Sequence, residues 1–161
     1  MGKVLGLDLA TRSGYSVISS NYKLLETGVI QLDPKSTHRK RFFDFYNEIK
    51  LLVKEHSPDL VVIEELHRSR NLNTTKLLAG FLAIALLVIP KKVEVVTCHQ
   101  ATAKKDIVKP ALGRAKLTKE DVFEWAKSEY RLNEYNFKDH NDITDSILMA
   151  HWGVDQLTRE S

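Results

Sequence analysis

Two aspartates lie three residues apart near the C-terminus, in the segment HNDITDSILMAHWG that spans residues 140–153. The apolar stretch that follows predicts a helix through this segment. On a helix, Asp142 and Asp145 share one face and lie one turn apart, where like charges repel and each carboxylate is costly to bury. We therefore expect a cation to lie against this pair.

Two further acids end predicted strands. In VLGLDLA, alternation places Asp8 on the same strand face as Val4 and Gly6, and in LVVIEEL it places Glu64 on the face of Val62. Open α/β sheets bind ligands near such strand ends. For either strand alone, a turn-capping aspartate or a strand leaving the core explains the acid at least as well.

All four acids together favour a metal site. Four converging carboxylates would raise one another's pKa values and destabilise the fold unless cations neutralise them. Oxygen ligands without clustered cysteines favour Mg²⁺ or Mn²⁺ over zinc. Two such ions about 4 Å apart can activate water and stabilise the leaving oxygen in phosphodiester hydrolysis. The sequence thus predicts a two-metal site with the ligands Asp8, Glu64, Asp142 and Asp145.

The elements that must position these acids follow the order βββαβαβαα. Three N-terminal strands, with a tight turn at Asn21 and Tyr22, predict an antiparallel meander, while DLVVIEEL and VEVVT supply the fourth and fifth strands. Helices are predicted over residues 41–55, 74–89, 120–130 and 141–157. The lysine-rich segment 99–117 is predicted to be largely exposed and mobile, with one short helical stretch. We expect one domain over residues 1–161, with a five-stranded mixed sheet flanked by helices.

Basic residues cluster along the chain. The formal net charge is only +3, but neutralising four acids would leave 24 basic residues against 17 acidic ones, or +7. The clusters lie in HRKR (residues 38–41), at Arg68 and Arg70, and between Lys104 and Lys119. Such clusters suit a polyanion, although a solvated basic face is the commoner meaning of any one of them.

One apolar run, LLAGFLAIALLVI over residues 77–89, is too short for the roughly 20 residues of a membrane span. Its helix is apolar almost all round, which predicts a buried helix or a subunit interface, and Gly80, Ala83 and Ala85 permit the close helix approach expected in a homodimer. Because the N-terminus lacks the apolar core of a signal peptide and Cys98 is the single cysteine, we expect a cytoplasmic protein without a membrane segment.

Three segments carry a resemblance to a known family. GLDLATRSGYSV, VVIEEL and HNDITDSILMAHWG resemble, in order and separation, the acidic motifs of the RuvC family of Holliday junction resolvases, within the ribonuclease H-like superfamily. Leu9 and Ala10 replace the Pro-Gly that many members carry after the first aspartate, and His67 replaces an aromatic residue. With these departures the chain resembles phage-encoded or otherwise streamlined resolvases. We therefore expect the protein in the cytoplasm of a bacterial cell or a phage-infected host.

The resemblance implies a ribonuclease H-like fold and a crossover junction endodeoxyribonuclease that nicks branched DNA with two Mg²⁺ ions, for which Mn²⁺ would substitute. By matched motif, the catalytic and metal-binding residues fall on Asp8, Glu64, Asp142 and Asp145. Four-way junctions are the expected substrate, with forks or flaps as alternatives. A YqgF-like nuclease that acts on RNA and a non-catalytic branched-DNA-binding protein remain alternative functions.

DNA contacts are expected along the basic clusters. Gly113 and Arg114 resemble the family's basic loop, and Lys119 resembles the lysine near the scissile phosphate. Lysines that only make a loop soluble are the alternative. The predicted DNA-binding residues are His67, Arg68, Arg70, Lys104, Lys105, Arg114, Lys116 and Lys119.

Overall fold

The computed structural model describes residues 2–67 and 69–161. Its centre is a five-stranded sheet with the spatial order β3-β2-β1-β4-β5. The strands are β1 (Lys3–Asp8), β2 (Arg12–Ser19), β3 (Leu24–Gln31), β4 (Leu60–Glu64) and β5 (Glu94–Cys98). The first three strands form the predicted antiparallel meander, and β4 pairs in parallel with both β1 and β5. The predicted mixed sheet is therefore confirmed, and the acid-bearing ends of β1 and β4 lie at the same edge.

Helices cover both faces of the sheet. On one face, α1 (His38–His56) and α2 (Leu72–Val88) enclose a core that includes Phe45, Ile49 and Phe81. On the other face, α5 (Lys119–Glu129) and α6 (Phe137–Glu160) enclose a second core. Strands between two helical layers bury both of their faces, which is why β1 and β4 have nearly continuous apolar sequences.

Two glycines let α6 lie directly on the sheet. A Cβ atom added at Gly6 in β1 would collide with the backbone of Ser146 and Ala150, and one added at Gly14 in β2 would collide with the carbonyl of Asp142. Only a residue without a side chain allows this approach. The close contact brings the aspartates of α6 to the end of β1.

The segment after β5 differs from its predicted form. Residues 100–112 are helical throughout, as α3 (Gln100–Ala103), a π-helical turn (Lys104–Val108) and α4 (Lys109–Leu112). Most of residues 99–117 are exposed, as predicted, but Ala103, Ile107 and Val108 are buried in the second core, and the prediction of only one short helical stretch was wrong. The segment is rich in lysine and has only three buried apolar residues. Because it combines α-helical and π-helical turns, these residues do not follow the regular 3.6-residue period that predicts a helix.

The last helix begins earlier than predicted. It starts at Phe137 rather than near residue 141, because Asn136 is its N-cap and accepts a hydrogen bond from the backbone N–H of Asp139. At the start of α5, Thr118 and Asp121 form a reciprocal capping box. Across residues 2–67 and 69–161, no helix is long and apolar enough to cross a membrane.

Candidate active site

Three of the four predicted acids meet at the end of the sheet. Asp8 ends β1, Glu64 ends the neighbouring parallel strand β4, and Asp145 lies two turns into α6, which crosses above them. One carboxylate oxygen from each of the three lies within 4.8 Å of the others. An all-carboxylate donor set at this spacing fits a hard divalent cation such as Mg²⁺ or Mn²⁺.

Burial and mutual repulsion make this centre costly to charge. Burial, followed by the neighbouring Glu64 carboxylate, raises the pKa of Asp8 well above its usual value. Burial also raises the pKa of Glu64, as does the charge of Asp145. Asp145 is 2% exposed, and burial together with Asp8 raises its pKa to about 6. Groups tuned in this way are typical of functional sites, and a bound cation would remove the cost.

The cation expected beside the aspartate pair is supplied partly by the protein. Lys119, at the start of α5, places its Nζ 3.2 Å from Oδ2 of Asp145. Burial alone would lower the pKa of Lys119, but Asp145, Asp8 and Glu64 together outweigh it and the pKa is raised. Lys119, which is predicted to bind DNA near the scissile phosphate, is thus also part of the acidic centre.

Asp142 is not among the three carboxylates whose oxygens cluster, although its charge helps to raise the pKa values of Asp8 and Asp145. Its Oδ2 accepts a hydrogen bond at 3.1 Å from Nε of Arg12, at the start of β2. The same guanidinium donates to the carbonyl of Asp139 at 2.9 Å and to Gln31 at 3.4 Å. Asp142 therefore remains a predicted ligand that the structure pairs with an arginine rather than placing among the three clustered oxygens.

Sequence reasoning missed Arg12, although it stands four residues after Asp8 within the first acidic motif. The pairing follows from the contact of α6 with β2, which the Gly14 position permits. With side chains 45% and 28% exposed, the Arg12–Asp142 pair contributes little to stability. Its effect is to hold Asp142 at the edge of the site.

The raised pKa values predict how stability depends on pH. Because the folded protein holds protons on these acids at higher pH than the unfolded chain does, its free energy of unfolding should rise as the pH falls. For Asp145, that gain spans the interval between its pKa of about 6 and its ordinary value of 3.8. We expect the metal-free protein to melt several degrees higher at pH 5 than at pH 7.5 in calorimetry. In saturating Mg²⁺ the dependence should flatten or reverse, and a metal-free melting temperature that falls towards pH 5 would contradict this account.

Next to the acidic centre are two concave surfaces. The acidic cavity, of about 190 Å³, is lined by residues that include Asp8, Glu64 and Lys119. The basic cleft, of about 530 Å³, is lined by residues that include Lys104, Lys105 and Lys116. Three predicted DNA-binding lysines thus converge on one surface beside the predicted metal site.

The remaining predicted DNA contacts are more dispersed. His67 is exposed, lines both the acidic cavity and the basic cleft, and lies 3.3 Å from Glu64 through its Nε2. Arg70 is exposed beside the N-cap of α2. Arg114 donates a 2.6 Å hydrogen bond to Asp121, so it also supports the cap of α5. Arg68 lies outside the described residues.

Comparison with known proteins gives a consistent result. The sequence profile of the family described as crossover junction endodeoxyribonuclease RuvC matches residues 4–151. A protein of that name from Campylobacter jejuni is 32% identical over 155 residues, which cover 92% of this chain and 91% of the relative. Its counterpart from Pelodictyon phaeoclathratiforme is 27% identical over 151 residues, covering 91% and 76%.

Solved structures share the fold. Thermus thermophilus RuvC, determined in complex with a Holliday junction substrate, superposes with a TM-score of 0.74 at 18% identity over 93% of this chain and 90% of that one. The yeast mitochondrial Holliday junction resolvase Ydc2 gives 0.71 at 15% identity, covering 98% and 81%. The predicted ribonuclease H-like fold class is therefore confirmed.

Proposed function

The chain belongs to the RuvC family of crossover junction endodeoxyribonucleases, and we propose that it is a Mg²⁺-dependent endonuclease that nicks Holliday junctions and other branched DNA in the cytoplasm. The observation that carries this proposal is the convergence of Asp8, Glu64 and Asp145 beside a lysine-lined cleft. A protein that only bound DNA would gain nothing from buried acids that repel phosphates.

The residues divide the work of hydrolysis. Asp8, Glu64 and Asp145 would hold the ions, with Asp142 at the edge of the site to orient a water molecule or complete a metal shell. Two Mg²⁺ ions, when bound, would activate the attacking water and stabilise the departing oxygen. Lys119 would place its charge against the scissile phosphate, where preorganised positive charge stabilises the transition state. In the absence of a metal ion, Asp145 would compete with the phosphate for Lys119. A bound cation would replace Lys119 as the partner of Asp145.

Cleavage of a labelled four-way junction tests the proposed function. With Mg²⁺ we expect paired nicks that DNA ligase can reseal, and with a chelator we expect binding without cleavage. A linear duplex of the same sequence is the control substrate, while fork and flap substrates define the range. Binding without cleavage in Mg²⁺ or Mn²⁺ would favour the DNA-binding alternative, and preferential cleavage of structured RNA would favour the YqgF-like one.

The basic cleft supports a prediction about binding. Lys116→Glu should weaken junction affinity and flatten its salt dependence, since each phosphate contact contributes roughly one unit to the slope. Lys116 is a better target than Arg114, because Arg114 is paired with Asp121. Replacing Arg114 would therefore also weaken the N-terminal cap of α5. Lys54→Glu, at the end of α1 and outside the cleft, is the control. Gel shifts at several salt concentrations compare them, and equal losses would exclude the cleft as the binding surface.

An apolar surface on α1 and α2 is the proposed homodimer interface. Leu86 and Leu87 on α2 are 53% and 84% exposed, and Phe43 on α1 is 58% exposed. An apolar concavity of about 370 Å³, lined partly by Phe43 and Ile84, lies between the two helices. Exposed apolar side chains and an apolar concavity of this kind are typical of protein interfaces. Two-fold pairing would present two sites to two strands.

Not every residue that suggested the interface belongs to this surface. Gly80 faces Phe42 of the same chain, where an added Cβ would meet the aromatic ring, and Ala85 is completely buried. Both therefore serve packing of α2 against its own domain. Leu82 also packs against the first core, so its replacement would test stability rather than association.

Leu86→Glu should convert a dimer into a monomer, because a carboxylate would have to be buried in an apolar interface. Light scattering at micromolar concentration measures the change. Leu25→Glu is the matched control: Leu25 is 41% exposed and lies on the edge strand β3 rather than on α1 or α2. A monomeric wild type, or a dimer unaffected by Leu86→Glu, would contradict the proposed interface.

A further inference from the structure

Gln100 stands between the two concave surfaces of the site. It lies two residues beyond the end of β5, as the first residue of α3, so Asp8, Glu64 and Gln100 lie at or just beyond the ends of three adjacent parallel strands. Its side chain lines the acidic cavity together with Lys119, and it lines the basic cleft together with Lys104. Besides His67, it is the residue that both linings share within the described part of the chain.

The amide of Gln100 has unused hydrogen-bonding capacity. The residue is only 8% exposed, and its Nε2 atom is buried with no hydrogen-bond partner among the described residues. A buried donor without a partner is costly, and native proteins rarely retain one without a use. An apolar residue of similar shape would remove the cost, so packing alone does not explain the glutamine.

We propose that Gln100 contacts the DNA strand that passes from the basic cleft into the acidic cavity, and that its amide donates a hydrogen bond to the phosphate next to the scissile one. The inference rests on the proposed nuclease function. Rotation about the last side-chain torsion turns the –NH₂ group towards the passing backbone, and a phosphate oxygen accepts a hydrogen bond from such a donor. An uncharged donor suits this position, because a lysine there would pair with Asp8 or Glu64.

Two charged neighbours define what this contact adds. Lys119 on one side faces the carboxylates, and Lys104 on the other lies within the cleft. Gln100 lies between these two lysines. A DNA strand that enters the site would pass Gln100 on its way from the basic cleft to the acidic cavity. The contact therefore fixes the register of the strand, which decides which phosphate reaches the predicted metal site.

The test compares the wild type with Gln100→Met, which keeps the length and removes the donor. We expect the junction concentration for half-maximal cleavage to rise about tenfold, with an unchanged Mg²⁺ half-saturation and a melting temperature that holds or rises. Gln156→Met, near the end of α6, is the matched control and should leave the junction concentration for half-maximal cleavage and the Mg²⁺ half-saturation unchanged. Gln100→Glu should weaken junction binding further by repulsion.

Methylphosphonate substitution locates the contact on the DNA. Replacing the phosphate next to the scissile one should weaken cleavage by the wild type about tenfold but should leave Gln100→Met unaffected. Equal sensitivity of the two proteins at every position would overturn the proposal. So would a lower melting temperature with unchanged junction half-saturation, which indicates packing, or a shifted Mg²⁺ half-saturation, which indicates a metal ligand.

Failure of the nuclease assignment has a different signature. A wild type that binds junctions without cutting them contradicts the proposed function alone. The methylphosphonate comparison, read by gel shift, then still decides whether Gln100 contacts the strand.

Discussion

Asp145→Asn should abolish cleavage while junction binding survives or tightens. The substitution removes one of three clustered carboxylates and, with it, a negative charge that faces the phosphates. Loss of a metal ligand should lower the cleavage rate at least about 1,000-fold, beyond the effect of losing a single transition-state hydrogen bond. Single-turnover cleavage and gel shifts of the same junction measure the two effects.

Stability separates this explanation from a structural role. Burial and Asp8 raise the pKa of Asp145 to about 6 despite the attraction of Lys119, so the charged aspartate destabilises the metal-free fold at neutral pH. Asparagine should therefore keep or raise the metal-free melting temperature, while the stabilisation by Mg²⁺ shrinks. Asp8→Asn should behave in the same way. Clear destabilisation with cleavage retained would exclude the metal-site explanation.

Lys119→Met should lower the cleavage rate by about 10²- to 10³-fold, the range found when a preorganised electrostatic group is removed. Its effect on stability should have the opposite sign to that of Asp145→Asn. Burial would lower the pKa of Lys119, but Asp145, Asp8 and Glu64 together raise it, so the fold favours the charged lysine. Without it the three acids lose their nearest cation, and the metal-free melting temperature at neutral pH should fall.

The double variant Asp145→Asn/Lys119→Met tests whether these residues act as a pair. Because each single variant leaves the other partner uncompensated, the two stability changes should be strongly non-additive. Lys127→Met, eight residues further along the same helix and outside the acidic cavity, is the control and should leave cleavage unchanged. Additive changes in melting temperature would show that the 3.2 Å contact carries no coupling energy.

The sequence alone predicted the architecture and the acids. Strand alternation, one buried central strand and the helical spacing of Asp142 and Asp145 are local patterns, and they determine the sheet, the flanking helices and the faces that the acids share. Asp8 and Glu64 became candidates because acids at the ends of apolar strands contradict the local pattern. The three acidic motifs then indicated the family, because their order and separation can be read from the sequence itself.

Tertiary structure decided which side chains meet. Arg12 and Asp142 are 130 residues apart and pair only because Gly14 lets α6 contact β2. Lys119, an expected DNA contact, also pairs with Asp145 through the packing of α5 beside α6. Residues 100–112 form helices because their few apolar residues reach the second core, which local composition does not reveal. Gln100 has no distinctive sequence pattern, because a polar residue between a strand and a basic segment becomes unusual only when the fold buries its amide without a partner.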